Sequence, residues 1–182
     1  MNQLEKAVID GAKTAQKDYG DMTEGWWLSH GPESFIEHTI AIKVRKQGFW
    51  VYPEASPKKI MEERNDRPKG RPPRNLGQRF DLVVWDKSDD NIRAIFEIKK
   101  AWNITSLRGD RKKIATFLNR NEYVKSGYLL AYTEAKGMRR SETLSNRLDY
   151  WAEGLKCALV GTHIDAQGDG ESGWAIGLFR LL

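Results

Sequence analysis

Apolar residues recur along the chain with two different periods. Leu4, Val8, Ala12 and Ala15 fall at spacings of four, four and three, which places them on one face of a helix over 2–18, with Gly20 as its stop. After Pro32, which suits a first helical position, Ile36, Ile40 and Val44 repeat every four residues and Gly48 is placed as a C-cap. FWVY (49–52) reads as a short strand ended by Pro53. RFDLVVWD (79–86) and IRAIFEIKK (92–100) read as two strands joined by the turn KSDDN. A helix follows over 109–121, with Asp110 as N-cap and Ile114, Phe117 and Leu118 on one face. SGYLLAYT (126–133) is a buried strand, and SETLSNRLDYWAEG (141–154) a helix that aligns Leu144, Leu148 and Trp151. Strands at 157–162 and 174–182 close the chain across a Gly-rich turn. Between 54 and 78, Pro57, Pro68, Pro72 and Pro73 and dense charge predict a long loop, in which KKIMEER has room for a helical turn or two. This order predicts a single α/β domain over 1–182, a mixed β-sheet flanked by helices.

Composition narrows the class. Apolar residues make up 40% of the chain, with seven Trp, six Tyr and six Phe, enough for a core and too many for disorder over most of the length. The longest apolar run, Trp174 to Phe179, is far below the roughly 20 residues that span a bilayer. The N-terminus lacks the apolar centre of a signal peptide, and the lone Cys157 has no partner for an internal disulfide. A soluble, cytoplasmic protein is the expectation. Charge adds a partner class. The net charge is +5, and residues 58–79 alone hold eight basic and three acidic side chains. Such a block suits either a solvated loop or a polyanionic partner, of which nucleic acid is the commonest.

The strands at 79–86 and 92–100 carry the sharpest chemistry. Paired as an antiparallel hairpin without a bulge, they bring together residues whose numbers sum to 178. Asp81 then faces Glu97, Val83 faces Ile95 and Trp85 faces Arg93. By alternation Asp81, Glu97 and Lys99 share one face, and Leu82, Val84, Phe96 and Ile98 the other. Carboxylates opposed at about 5 Å between Cβ atoms repel unless a cation or a raised pKa intervenes. An Mg²⁺-type ion relieves that repulsion, and Lys99 on the same face suits a developing negative charge. A plain salt bridge of Asp81 and Glu97 with Lys99 has the same letters. Glu37, with Glu33 one turn before it, and Glu54 are further acids within reach of this face, although acids early in a helix also serve its dipole.

These residues resemble the PD-(D/E)XK nuclease superfamily, whose core runs helix, three strands, helix, strand (αβββαβ) and whose motif is an Asp on the second strand and (D/E)-x-K on the third. Here the motif reads Phe80-Asp81, fifteen residues, Glu97-Ile98-Lys99, over a core of about 32–133. Phe80 stands where the motif has Pro. Glu37 lies eleven residues before Gly48, similar to the spacing in archaeal Holliday-junction resolvases. The resemblance implies a restriction-endonuclease-like fold. It also implies Mg²⁺ or Mn²⁺ held by Asp81, Glu97, the Ile98 carbonyl and Glu37, with Lys99 orienting the attacking water. The implied reaction is phosphodiester hydrolysis, with DNA as the expected substrate, by a homodimer or as part of a larger nuclease complex. Arg108, Arg111, Lys112 and Lys113 near the second core helix, and Arg71, Arg74 and Arg79 on the basic loop, form the expected nucleic-acid track. The rival expectation is a protein that keeps the fold for binding and has lost catalysis.

Overall fold

A computed structural model describes residues 1–63, 77–87, 92–122, 124–166 and 172–182. The elements are α1 (Gln3–Met22), α2 (Glu33–Lys46), β1 (Trp50–Ala55), α3 (Pro57–Glu63), β2 (Phe80–Trp85), β3 (Ile92–Lys100), α4 (Thr105–Leu118), β4 (Gly127–Lys136), α5 (Arg140–Leu155), β5 (Cys157–Asp165) and β6 (Ser172–Leu181). The strands form one six-stranded sheet in the order β1-β2-β3-β4-β6-β5. Its pairs are antiparallel except β3 with β4.

The alternation of β2 and β3 builds two cores. Leu82, Val84, Phe96 and Ile98 pack with Leu4, Val8, Ala12, Ile36, Ile40 and Val44 of α1 and α2. Val83, Trp85 and Ile95 join Ile114, Phe117, Leu148 and Trp151 of α4 and α5 on the other face. Helices thus flank a mixed sheet, as the order of elements predicts. Among the described residues no helix is long and apolar enough to cross a membrane.

Several boundaries move, each for a local reason. α1 opens on a capping box, with the Glu5 N–H donating to Asn2 Oδ1 (2.9 Å) and the Asn2 N–H to Glu5 Oε2 (2.7 Å). It runs through Gly20 to Met22, and Gly25, at φ +95°, makes the turn instead. Pro32 flanks α2 in extended conformation and is not its first helical residue, while Gly48 takes the positive φ expected of it. β1 continues through Pro53 to Ala55 because it is an edge strand, where a missing N–H is tolerated. α4 starts four residues earlier than the apolar pattern predicts. Asn103 Oδ1 accepts the Ser106 N–H at 3.2 Å there, so Asp110 lies inside the helix and is not its cap. Residues 58–63 of KKIMEER form α3 with Pro57, and 64–76 lie outside the described residues, as does most of the KSDDN turn.

The predicted register holds over 82–84, and the ladder ends at Leu82 with Phe96, short of the expected pairing of Asp81 with Glu97. Leu82 pairs with Phe96, Val83 with Ile95 and Val84 with Ala94. A bulge between Val84 and Trp85 then sets Trp85 opposite Ile92, where Arg93 was expected. The irregularity is on the turn side, away from Asp81 and Glu97.

Candidate active site

β2 begins at Phe80, so β3 runs on past the end of its neighbour. The amides of β3 that face this side lose their backbone partners and take side chains. The Ile98 N–H donates to Asp81 Oδ2 at 2.6 Å, and the Lys100 N–H to Glu33 Oε1 at 3.0 Å. Two acids are thereby fixed beside the end of β3, one from β2 and one from the first turn of α2. Backbone groups of one strand residue point the same way, so the Ile98 carbonyl faces this side too.

The remaining groups gather around them. Glu97 is buried (5% exposed), and its Oε1 forms an ion pair with Lys113 Nζ of α4. Lys99 Nζ lies 3.3 Å from Glu33 Oε2. Lys100 turns the other way and donates to the carbonyls of Ser29 (2.9 Å) and Gly31. Glu37, one turn beyond Glu33 on α2, is 6% exposed, and its Oε2 is buried with no hydrogen-bond partner. Asp110 projects from α4 into the same field and acts on Asp81, Glu97 and Lys99.

Burial and crowding of like charge set the electrostatics. Desolvation, then the charges of Asp81, Glu54 and Glu33, push Glu37 up to about 7. Glu97 is also raised to about 7, by burial first and by Asp81, with Lys113 opposing. Asp81 is raised by burial against the pull of the Ile98 N–H, and Asp110 by burial against Lys99 and Lys113. Burial works against the Lys99 ammonium, but Glu33, Asp110 and Asp81 outweigh it and its pKa rises. Among the described residues the site thus gathers more carboxyl groups than Lys99 and Lys113 can balance when all are ionised.

The other predicted residues separate. Arg108 and Lys112 are exposed on α4. Arg111 is half-buried, and its Nε donates to the Leu155 carbonyl (3.0 Å) at the end of α5, a structural engagement at a helix C-terminus. Arg79 clasps Glu54, Nε to its carbonyl (2.9 Å) and Nη2 to Oε2 (3.3 Å). Glu54 holds φ +45°, uncommon for a residue with a side chain. Arg71 and Arg74 lie outside the described residues. The sequence reading gave Lys113 to phosphate and Asp110 to a cap. Their three-residue spacing on one helix face, beside a motif with surplus acids, is the signal that joins them to the site.

Among the described residues no three His, Cys, Asp or Glu side chains stand close enough to hold a metal ion as they are. The donor chemistry nevertheless suits a hard divalent cation: all the acids offer oxygen, and Glu37 Oε2 is an orphaned buried acceptor. Comparison with family models, with curated proteins and with solved structures finds no match to this chain.

Proposed function

We propose that this protein is a metal-dependent nuclease of restriction-endonuclease-like fold that hydrolyses phosphodiester bonds of DNA. The observation that carries this reading is an acid set on three different elements, buried Glu37 and Glu97 with half-buried Asp81 acting on both, in which the Glu37 Oε2 is left unpartnered. Acids are rarely buried together without a cation, because each disfavours ionisation of the next. Asp81, Glu97, Glu37 and the Ile98 carbonyl would hold Mg²⁺ or Mn²⁺. Such an ion supplies Lewis-acid polarisation of a phosphoryl oxygen and a bound water of lowered pKa.

The chain's own groups have separable parts to play. Asp81 and Glu97 concentrate negative charge where β2 ends. Lys99, kept protonated by the surrounding acids, is suited to stabilise charge that develops on phosphate. Glu33 orients Lys99 through its Oε2 and the strand through its Oε1. Arg108 and Lys112 are exposed on α4, the helix that carries Asp110, and are cations available to the DNA backbone.

The test is cleavage of plasmid and linear DNA across Mg²⁺ and Mn²⁺ titrations. Asp81→Asn and Glu97→Gln are expected to lose at least about 10²-fold in rate with the fold retained, and EDTA to stop the wild type. Cleavage surviving EDTA would sink the proposal. A second reading is a nuclease-fold protein that binds nucleic acid without cutting it. It draws support from the two contacts that satisfy the acids without a metal, Lys113 on Glu97 and the Ile98 N–H on Asp81. DNA binding with no cutting under any of those conditions would favour it.

A further inference from the structure

Lys113 does something that its place on a basic helix does not require. Arg108 and Lys112 stay exposed, whereas the Lys113 ammonium reaches Glu97, a carboxylate that is only 7% exposed in its side chain. The reach is supported along its length. Lys113 Nζ sits 4.9 Å from the centre of the Phe80 ring, whose face attracts cations. Phe80 in turn packs edge-on against Phe117, one turn further along α4, at 4.8 Å between centroids. Phe80 stands where the resembled motif has Pro, so this aromatic support is a property of this chain. Lys99 meanwhile is engaged by Glu33. The ammonium against the Asp81–Glu97 pair is therefore the one from the helix.

We propose that Lys113 is the site's internal counter-cation: it holds Glu97 while no divalent ion is bound and must release it for one to bind. This rests on the metal-binding reading above. A single positive charge on a flexible stem satisfies Glu97 but leaves Glu37 Oε2 unpartnered. An ion of charge +2 attracts the same carboxylates more strongly and repels the ammonium from their midst. Lys113 is then a positioning residue that sets how much divalent ion the site needs.

The experiment is Mn²⁺ binding by calorimetry at pH 8, on the wild type, Lys113→Gln and Lys113→Arg, with circular dichroism to check folding. Lys113→Gln should bind Mn²⁺ about tenfold more tightly, the order expected for removing one charge from a half-buried cluster. Lys113→Arg, which keeps the charge, should bind no more tightly than the wild type. Equal or weaker binding by Lys113→Gln would overturn the proposal while leaving the metal site standing. No binding by any of the three overturns both. Should Lys113→Gln fail to fold, amine acylation of the wild type read by mass spectrometry decides the matter. Labelling of Lys113 should rise several-fold on adding Mg²⁺ while that of exposed Lys112 stays constant. Unchanged Lys113 labelling with Mn²⁺ bound counts against the idea.

Discussion

Glu33 and Glu37 sit one helical turn apart on α2, yet they meet opposite circumstances. Glu33 has both oxygens engaged, on the Lys100 N–H and on Lys99, while Glu37 points a bare oxygen into the protein. The consequence is a definite pH dependence. A carboxyl group whose folded-state pKa lies above its unfolded value binds its proton more tightly in the fold. Its stabilising contribution is full below the unfolded value near 4.5 and is lost as pH rises through the folded value, about 7 for Glu37 and Glu97. Protein stripped of divalent ions should therefore lose stability between about pH 4.5 and 7. Glu37→Gln should remove part of that loss, raising stability at pH 8 by about 1–2 kcal/mol in urea unfolding and leaving it unchanged or lower at pH 4. A variant no more stable than wild type at pH 8 would mean that Glu37 is solvated or partnered after all.

The site's elements are held by close approaches that leave little slack. A methyl group added at Gly11 of α1 would stand 2.7 Å from the Ile40 Cα of α2. One added at Gly127, where β4 begins, would stand 2.2 Å from Ile114 Cγ2 and 2.9 Å from Leu118 Cδ1 of α4. Gly11 thus sets the seat of the helix that carries Glu33 and Glu37, and Gly127 the seat of the one that carries Asp110 and Lys113. The obstacles differ: a backbone atom cannot step aside, whereas side-chain carbons can shift at some cost. Gly11→Ala and Gly127→Ala should each cost about 1–3 kcal/mol by overpacking, measured by denaturant midpoint. Gly11→Ala should be the more damaging. A harmless Gly11→Ala would show that α1 and α2 can part without loss.

At the scale of the molecule the question is where the charge goes. The net charge of +5 hides a local inversion: among the described residues Glu33, Glu37, Asp81, Glu97 and Asp110 act on one another near the end of β3, opposed chiefly by Lys99 and Lys113. Exposed Arg108 and Lys112 stand on the helix beside them. DNA binding through such cations should fall steeply with salt, and each phosphate contact removed should lower the slope of log affinity against log salt by about 0.9. For Arg108→Ala with Lys112→Ala the expected decrease is about 2, read by fluorescence anisotropy. A slope unchanged by the pair would move the DNA path away from α4.

The sequence by itself determined the elements and their order. Periods of two and of three to four follow from backbone geometry, and a half-buried strand cannot hide its alternation. That same alternation predicts Asp81, Glu97 and Lys99 on one side of the β2–β3 pair. The salt bridge of Lys99 with Asp81 and Glu97 that it allowed does not form, because the pairing depends on a helix far along the chain and on where β2 begins. Only the tertiary structure swung Lys99 to Glu33, brought Lys113 over Phe80 to Glu97, turned Asp110 from a supposed cap into a neighbour of both lysines, and tied Arg111 to the end of α5. Side-chain period is a local property of the backbone. Pairing among buried charges is decided by packing, which leaves each group the partner it can reach without water.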